Sequence, residues 1–153
     1  MKKDFLVIVR GGGDLATGCI HRLWSAGFKV LVLECAAPAA IRRQVSVCEA
    51  VYEGSNVFEG MTALLINNVQ EANGIWQAGN VPVLVDETGA CVEELKPDVV
   101  VDAIIAKKNL GTKIDMAPLT VALGPGFEAG VDVDAIIETK RGHNLGRIIR
   151  EGK

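Results

Sequence analysis

The sequence has few of the features that mark metal sites, membrane spans or nucleic-acid binders. Its four cysteines form no C-x-x-C pair and have no histidine at metal-ligand spacing, so we expect reduced thiols and no metal. The apolar runs are only as long as strands, which argues against a membrane span. A formal net charge of −3 argues against a general nucleic-acid binder. What remains is the composition of an ordinary globular protein, 49% hydrophobic and 23% charged.

The chain also lacks internal repeats, low-complexity linkers and any arrangement of nucleophile, base and acid. We therefore expect one domain over residues 1–153, and we assign no catalytic residue and leave open whether the protein is an enzyme. Residues 1–4, Met-Lys-Lys-Asp, precede a short strand and do not form a signal peptide, so we expect a cytoplasmic protein. A homo-oligomer is left open.

The stretch 5–34 has the pattern of a βαβ unit. Residues 5–9 are an unbroken apolar, β-branched run that predicts a strand buried on both faces. Apolar residues then recur at helical spacing over 15–26, with Asp14 as the expected N-cap and Gly27 just past the end. A second apolar strand, 28–33, ends at Glu34.

The turn between the first strand and the helix satisfies the pattern G-x-G-x-x-A, which is typical of dinucleotide-binding sites. In that pattern Gly11 makes a tight turn, Gly13 admits a pyrophosphate, and the small Ala16 lets helix and strand pack closely. Glu34, about twenty residues further on, is placed to accept hydrogen bonds from ribose hydroxyls. The expected ligand contacts in this unit are Gly11, Gly12, Gly13, Asp14, Leu15, Ala16 and Glu34. We call residues 11–13 the glycine turn.

Two interpretations of the glycine turn are possible from the sequence. Either the turn binds a nucleotide, or its glycines are needed only for the backbone conformation of the turn. The second reading gains weight if Asp14 caps the helix, because its carboxylate would then occupy the N–H groups that bind phosphate and would repel an anion.

The remaining pattern predicts a Rossmann-like three-layer α/β fold, with a mostly parallel sheet and an antiparallel hairpin. We expect a helix opening at Pro38, a strand–turn–strand over 52–67, and a capping box at 68–71 that begins a helix ending before Gly79. Further strands are expected at 81–85, 99–105 and 119–123. Only about ten residues separate 119–123 from the next strand at 135–138, which favours an antiparallel return.

Basic, glycine-containing loops follow two of these strands and suggest a polyanionic ligand. The ammonium groups supply charge, while amide, hydroxyl and imidazole groups supply direction. The residues concerned are Lys107, Lys108, Asn109 and Thr112 in the first loop and Lys140, Arg141 and His143 in the second. The competing reading is that each loop is merely solvated, and that the glycines at 124–126 form only a turn. Arg42 and Arg43 have the same two readings, a solvated edge or a contact to phosphate that favours a 2′-phosphate.

Single residues near predicted strand ends also allow both a functional and a purely structural interpretation. Cys35 follows Glu34 at the mouth of the expected pocket, and its thiol would be reactive if basic neighbours lowered its pKa. Asp86, Asp102 and Asp115 are placed to contact ribose, a metal or a pterin, or they simply end strands.

Four segments resemble one protein family. They are RGGGDLATG at 10–18, AIRRQVSVCEAVYEG at 40–54, DAIIAKKNLGTKIDMAPLTVALGPGFEAG at 102–130, and DAIIETKRGHNLGR at 134–147. Together they resemble the selenium-dependent molybdenum hydroxylase system protein family, also called YqeB-like, over nearly the whole chain. Members of that family continue well past GRIIREG, so we expect a fragment or a shortened member.

The resemblance implies an accessory factor that matures molybdenum hydroxylases requiring labile selenium. It also implies a fold related to the Rossmann domain of xanthine dehydrogenase accessory proteins. The expected ligand is a nucleotide or dinucleotide, either molybdopterin dinucleotide or NAD(P), and the expected protein partner is a molybdenum hydroxylase. The alternatives are an NAD(P)-dependent oxidoreductase and a docking domain with a degenerate nucleotide pocket.

Overall fold

The first βαβ unit forms where the sequence predicts it. The computed structural model describes residues 5–38, 46–106, 108–139 and 145–153. It places β1 at Leu6–Arg10, α1 at Asp14–Ser25 and β2 at Lys29–Glu34, with the two strands paired in parallel. Every residue of β1 is buried, which accounts for its continuous apolar run.

The later elements are short. The helices are α2 (Glu49–Glu53), α3 (Ala72–Gln77) and α4 (Cys91–Leu95), with 3-10 turns at Val69–Glu71 and Ile114–Met116. The strands are β3 (Ser55–Phe58), β4 (Met61–Ile66), β5 (Val81–Val85), β6 (Val99–Asp102), β7 (Leu119–Leu123), β8 (Ala135–Ile137) and β9 (Ile148–Ile149). The predicted hairpin (β3 and β4) and the capping box between Asn68 and Glu71 are both confirmed.

The described residues form one sheet of nine strands, in the order β3-β4-β5-β2-β1-β6-β7-β8-β9. All neighbouring pairs from β4 to β8 in this order are parallel, and the edge strands β3 and β9 are antiparallel to their neighbours. Chain order reverses between β1 and β6, which makes their carboxyl ends the topological switch point where open α/β sheets bind ligands.

Apolar side chains cover both faces of the central strands. On one face Val7 and Val9 pack with Ala16 and Ile20 of α1, and on the other Leu6 and Ile8 pack in the cluster that includes Val92 of α4. The alternation follows from the period of two in a strand. Helices therefore lie on both faces, and the predicted three-layer, mostly parallel fold is confirmed.

The predicted antiparallel return after β7 is wrong, because β7 and β8 pair in parallel. The connection crosses without a helix. Its own apolar residues, Phe127, Ala129 and Val133, are buried against Ala122 and Ile136, so the loop covers one face of the strands that it joins. As a result the carboxyl ends of β7 and β8 lie at the same edge of the sheet as the carboxyl end of β1.

Smaller differences concern the ends of elements. β6 stops at Asp102 instead of continuing to residue 105, and α4 has no counterpart in the prediction. The helix expected from Pro38 falls largely on residues 39–45, outside the described residues, and α2 begins only at Glu49. In the part of the chain that the structure describes, every helix is too short or too polar to cross a bilayer.

Candidate functional site

The glycine turn begins with a position that only glycine fits. Gly11 has φ +103°, a region that L side chains rarely adopt, and a Cβ there would lie 2.8 Å from the Ala103 carbonyl oxygen. The backbone of β1 therefore passes closely over the end of β6. The tight turn that the pattern assigns to Gly11 has a clear steric cause.

Gly12 and Gly13 face different surroundings. A Cβ on Gly12 would lie 3.1 Å from the Cys48 backbone nitrogen and 3.3 Å from a methyl group of Val32, so Gly12 is packed against protein. A Cβ on Gly13 would have no atom within 4 Å. The space beside Gly13 is thus open, and the passage of a phosphate there remains a prediction.

The helix N-cap is Gly13, and the prediction that Asp14 caps α1 is wrong. Asp14 is the first helical residue, and the cap makes no side-chain hydrogen bond. The Asp14 carboxylate instead accepts a 2.5 Å hydrogen bond from the Ser46 hydroxyl. The charge of Asp14 in the first turn of α1 opposes an anion at this helix end. Leu15 is half exposed beside it, and Ala16 is 1% exposed, as close packing requires.

The segment 46–48 lies against the glycine turn, which the sequence did not reveal. The Cys48 N–H donates to the Gly12 carbonyl at 2.8 Å, and the Val47 N–H donates to the Thr17 hydroxyl at 2.9 Å. The Thr17 hydroxyl in turn donates to the Gly13 carbonyl at 2.7 Å. The turn is thus held by Thr17 of α1 and by the segment 46–48 that precedes α2, and neither belongs to the glycine pattern.

Glu34 is turned towards the glycine turn. One carboxylate oxygen accepts from the Gly12 N–H at 2.6 Å, and the other accepts from its own neighbour, the Cys35 N–H, at 2.9 Å. Each carboxylate oxygen has a second lone pair, so these bonds leave acceptor capacity for a ribose hydroxyl. The ribose contact remains a prediction.

The switch point is filled by a buried polar cluster that the sequence reading missed. Arg10, 1% exposed, donates from one nitrogen to the Thr112 hydroxyl at 2.6 Å and from another to the carbonyls of Glu87 and Leu110. The Thr112 hydroxyl donates to the buried Asp102 carboxylate at 2.5 Å. We call Arg10, Thr112 and Asp102 the switch-point cluster. A clue was available, since Arg10 and Asp102 are the polar ends of two buried apolar runs.

The loop after β6 is built mainly by internal bonds. The Asn109 amide oxygen accepts from the Gly111 and Thr112 N–H groups, and its amide nitrogen donates to the Thr112 carbonyl. Asn109 and Thr112 thus shape the loop in this structure, while Lys108 is exposed. Their contact with an anion remains a prediction.

Several predicted ligand contacts lie outside the described residues. These are Lys107, Lys140, Arg141 and His143, together with Arg42 and Arg43. The carboxyl end of β8, which precedes residues 140–144 in the chain, lies at the same edge of the sheet as that of β1, because the strands from β1 to β8 in the sheet are parallel.

Asp86 has a structural task. Its carboxylate accepts from the N–H groups of Gly89, Ala90 and Cys91, at the start of α4. Burial works to raise the pKa of Asp86, but these bonds and one from the Cys91 thiol hold the pKa below its ordinary value. Asp115 is exposed on a 3-10 turn.

The cysteine thiols are not activated. Burial, followed by the charges of Glu34 and Glu87, raises the pKa of Cys35, although backbone hydrogen bonds oppose this. Burial also raises the pKa of Cys48 to about 11 and that of Cys91 to about 12. Among the described residues the charges that act on Cys35 are acidic, so the basic neighbours on which a reactive thiol was predicted to depend are not found there.

A cavity of about 170 Å³ opens between the ends of β1, β2, β5 and β6. Its lining consists of Arg10, Gly11, Leu33, Glu34, Cys35, Asp86, Glu87, Ile104 and Leu110. It adjoins the glycine turn and the switch-point cluster, and we call it the edge cavity.

The comparison with known proteins adds one relative. Uncharacterized protein YqeB of Escherichia coli (strain K12) is 52% identical to this chain over 147 residues, 96% of the chain. Over this stretch the two sequences are homologous. The match is consistent with the YqeB-like family, but the relative's name states no activity. The chain spans 27% of the length of that relative. No family model and no solved structure matches the chain.

Proposed function

We propose that the chain is an accessory factor for the maturation of selenium-dependent molybdenum hydroxylases, and that it binds a nucleotide-bearing ligand at the glycine turn. The maturation role rests on the family resemblance. The ligand would be a molybdopterin dinucleotide or a related nucleotide, and a molybdenum hydroxylase would be the protein partner.

One observation carries the binding part of the proposal. Gly11 is closed in by the protein, whereas the space beside Gly13 is open and borders the first turn of α1. Gly13 has φ −75°, which other residues also adopt, so the backbone of the turn does not itself require glycine at this position. Glu34 reaches the same turn through the Gly12 N–H, so a carboxylate for ribose lies next to the space for phosphate.

Two other functions compete with this one. An NAD(P)-dependent oxidoreductase is favoured by the same glycine turn and acidic strand end. A docking domain with a degenerate pocket is favoured by Asp14, because a carboxylate in the first turn of α1 opposes phosphate binding.

A thermal-shift panel separates the three functions. The ligands are NAD, NADP, ATP, CTP and molybdopterin dinucleotide, and a ligand at a hundredfold excess over its Kd adds about 2.7 kcal/mol of stability. Stabilisation by molybdopterin dinucleotide or CTP supports the accessory role. Stabilisation by nicotinamide cofactors alone supports the dehydrogenase, and no stabilisation by any ligand supports docking.

Gly13→Val tests where the ligand binds. The substitution fills the open space and should abolish binding, while the fold loses only about 1 kcal/mol from the poorer N-cap. Gly18→Ala, on the exposed side of α1, is the control and should bind normally. Glu34→Gln should weaken a ribose-bearing ligand but not inorganic pyrophosphate. If Gly13→Val binds normally while Lys108→Gln does not, the ligand sits on the basic loop and the glycine-turn site is wrong.

A further inference from the structure

Carboxylates that follow two paired strands, β2 and β5, line the edge cavity. Glu34 lies at the end of β2, and Glu87 lies on the loop that follows β5. The loops are joined at this point, since the Asp86 N–H donates to the Glu34 carbonyl at 2.9 Å. The Glu87 carboxylate reaches across to the Ala36 N–H at 3.4 Å, just after Glu34 in the chain.

The acidic groups of the cavity differ in how firmly they are held. Asp86 is committed to the start of α4 through its backbone bonds. Glu34 is committed in part to the glycine turn. Glu87 is exposed, and the hydrogen bond that its carboxylate accepts from the Ala36 N–H is long at 3.4 Å, so its charge can act on a bound molecule.

We infer, resting on the proposed function, that Glu87 is a specificity-determining residue. Together with Glu34 it admits a ribose that has a free 2′-hydroxyl and excludes a ribose that carries a 2′-phosphate. The ligand class is therefore a 5′-nucleotide or dinucleotide without 2′-phosphate.

The physical reason is the sign of the charge around the ribose position. A carboxylate at the end of the second strand accepts bonds from the 2′-hydroxyl and repels a phosphate there. Glu87 adds a second negative charge in the same cavity, and both carboxylates lie close enough to Cys35 to raise the pKa of its thiol. Arg10 also lines the cavity, but its guanidinium is 1% exposed and donates to Thr112, Glu87 and Leu110. The Asp102 carboxylate, which accepts from the same Thr112 hydroxyl, offsets its charge.

The opposite preference would come from Arg42 or Arg43. These residues belong to the segment 39–45, outside the described residues, and a basic group there would favour a 2′-phosphate. The two possibilities predict opposite orders of affinity.

The experiment uses matched pairs of probes that differ only in the 2′-phosphate. The pairs are NAD with NADP and CMP with cytidine 2′,5′-bisphosphate, measured by calorimetry on the full chain. We expect the 2′-phosphorylated member to bind about tenfold more weakly or worse at low salt. Glu87→Gln should reduce the ratio of the two dissociation constants, 2′-phosphorylated to unphosphorylated, by about threefold or more. The dissociation constant of the unphosphorylated probe should change little. Glu93→Gln, an exposed charge removal on α4, is the control and should leave the ratio unchanged.

The possible outcomes distinguish a failure of the specificity inference from a failure of the proposed nucleotide binding. If no probe in either pair binds, nor any ligand of the thermal-shift panel, the proposed function and the inference fail together. If the 2′-phosphorylated probe binds as well as its partner or better, the inference is overturned while nucleotide binding stands. If the preference exists but Glu87→Gln does not narrow it, Glu34 alone sets it and the role of Glu87 is overturned.

Discussion

Gly11 and Gly18 lie seven residues apart in the chain, but their backbones meet different conditions. Gly11 has a positive φ and faces the Ala103 carbonyl, whereas Gly18 lies within α1 with open space around it. Glycine is therefore required at position 11. At position 18 it destabilises the protein, because glycine within a helix is less stable than alanine.

At this scale we predict opposite effects for two identical substitutions. Gly11→Ala should lower the free energy of unfolding by about 2 to 5 kcal/mol, from backbone strain and the clash with a carbonyl oxygen. Gly18→Ala should raise it by about 0.5 to 1 kcal/mol. Urea denaturation of both variants measures this. An unchanged stability in Gly11→Ala would show that the turn can relax and that glycine is not required there.

Helix α4 shows how a short element depends on one side chain. It has only five residues, and Asp86 binds the N–H groups at and before its start. A helix of this length has little stability of its own, so the carboxylate and the packing of Val92 hold it on the sheet.

At the scale of this element we predict a pH-dependent contribution. Asp86→Asn should lower the free energy of unfolding at pH 7 by about 1 to 3 kcal/mol. Because the folded-state pKa of Asp86 is depressed, its contribution is present above the unfolded pKa of about 3.9 and is lost as the pH falls through the folded-state pKa.

Denaturation at pH 7 and at pH 3 checks the sign of this effect. The difference between wild type and Asp86→Asn should shrink at the lower pH. Asp115→Asn, an exposed carboxylate on a 3-10 turn, should change stability by less than about 0.5 kcal/mol at both values. A difference that grows with acidity would contradict the capping role of Asp86.

The switch-point cluster joins parts of the molecule that are far apart in sequence. Arg10 at the end of β1 holds carbonyls of the loops after β5 and β6, and Thr112 is 102 residues away from it. Arg10, Glu87 and Leu110 all line the edge cavity, so the cluster holds part of the cavity wall in place.

At the scale of the whole molecule we predict a large loss when the cluster is broken. Arg10→Met should lower the free energy of unfolding by about 3 to 5 kcal/mol, because it leaves the buried polar groups of its partners uncompensated. The double variant with Thr112→Val should lose less than the sum of the single losses, since the two side chains contact each other.

A double-mutant cycle by chemical denaturation measures this coupling. The control is Arg22→Met, a substitution of an exposed arginine, which should change the free energy of unfolding by less than about 0.5 kcal/mol. Strict additivity of the two losses would mean that Arg10 and Thr112 act independently and that the cluster is not a unit.

The sequence alone determined the elements whose signals are local. The βαβ unit follows from an apolar run, helical spacing and a glycine turn within thirty residues, and the capping box of Asn68 and Glu71 from four. These patterns reflect interactions between residues that are close in sequence, so the elements that they predict also form in the folded protein. The tight turn at Gly11 belongs to the same group, although the residue that enforces it, Ala103, does not.

Only the tertiary structure decided the features that join distant segments. The parallel pairing of β7 and β8 depended on whether a loop could bury Phe127 and Val133, which loop length does not reveal. Asp14, a residue type that is common at N-caps, is instead the first residue of α1 and accepts a hydrogen bond from Ser46, 32 residues away. Arg10 and Asp102 look like polar strand ends in the sequence, and they become a buried cluster because parallel pairing places them side by side. In each case the stabilising contact joins residues that are far apart in the sequence, so a local sequence pattern cannot predict it.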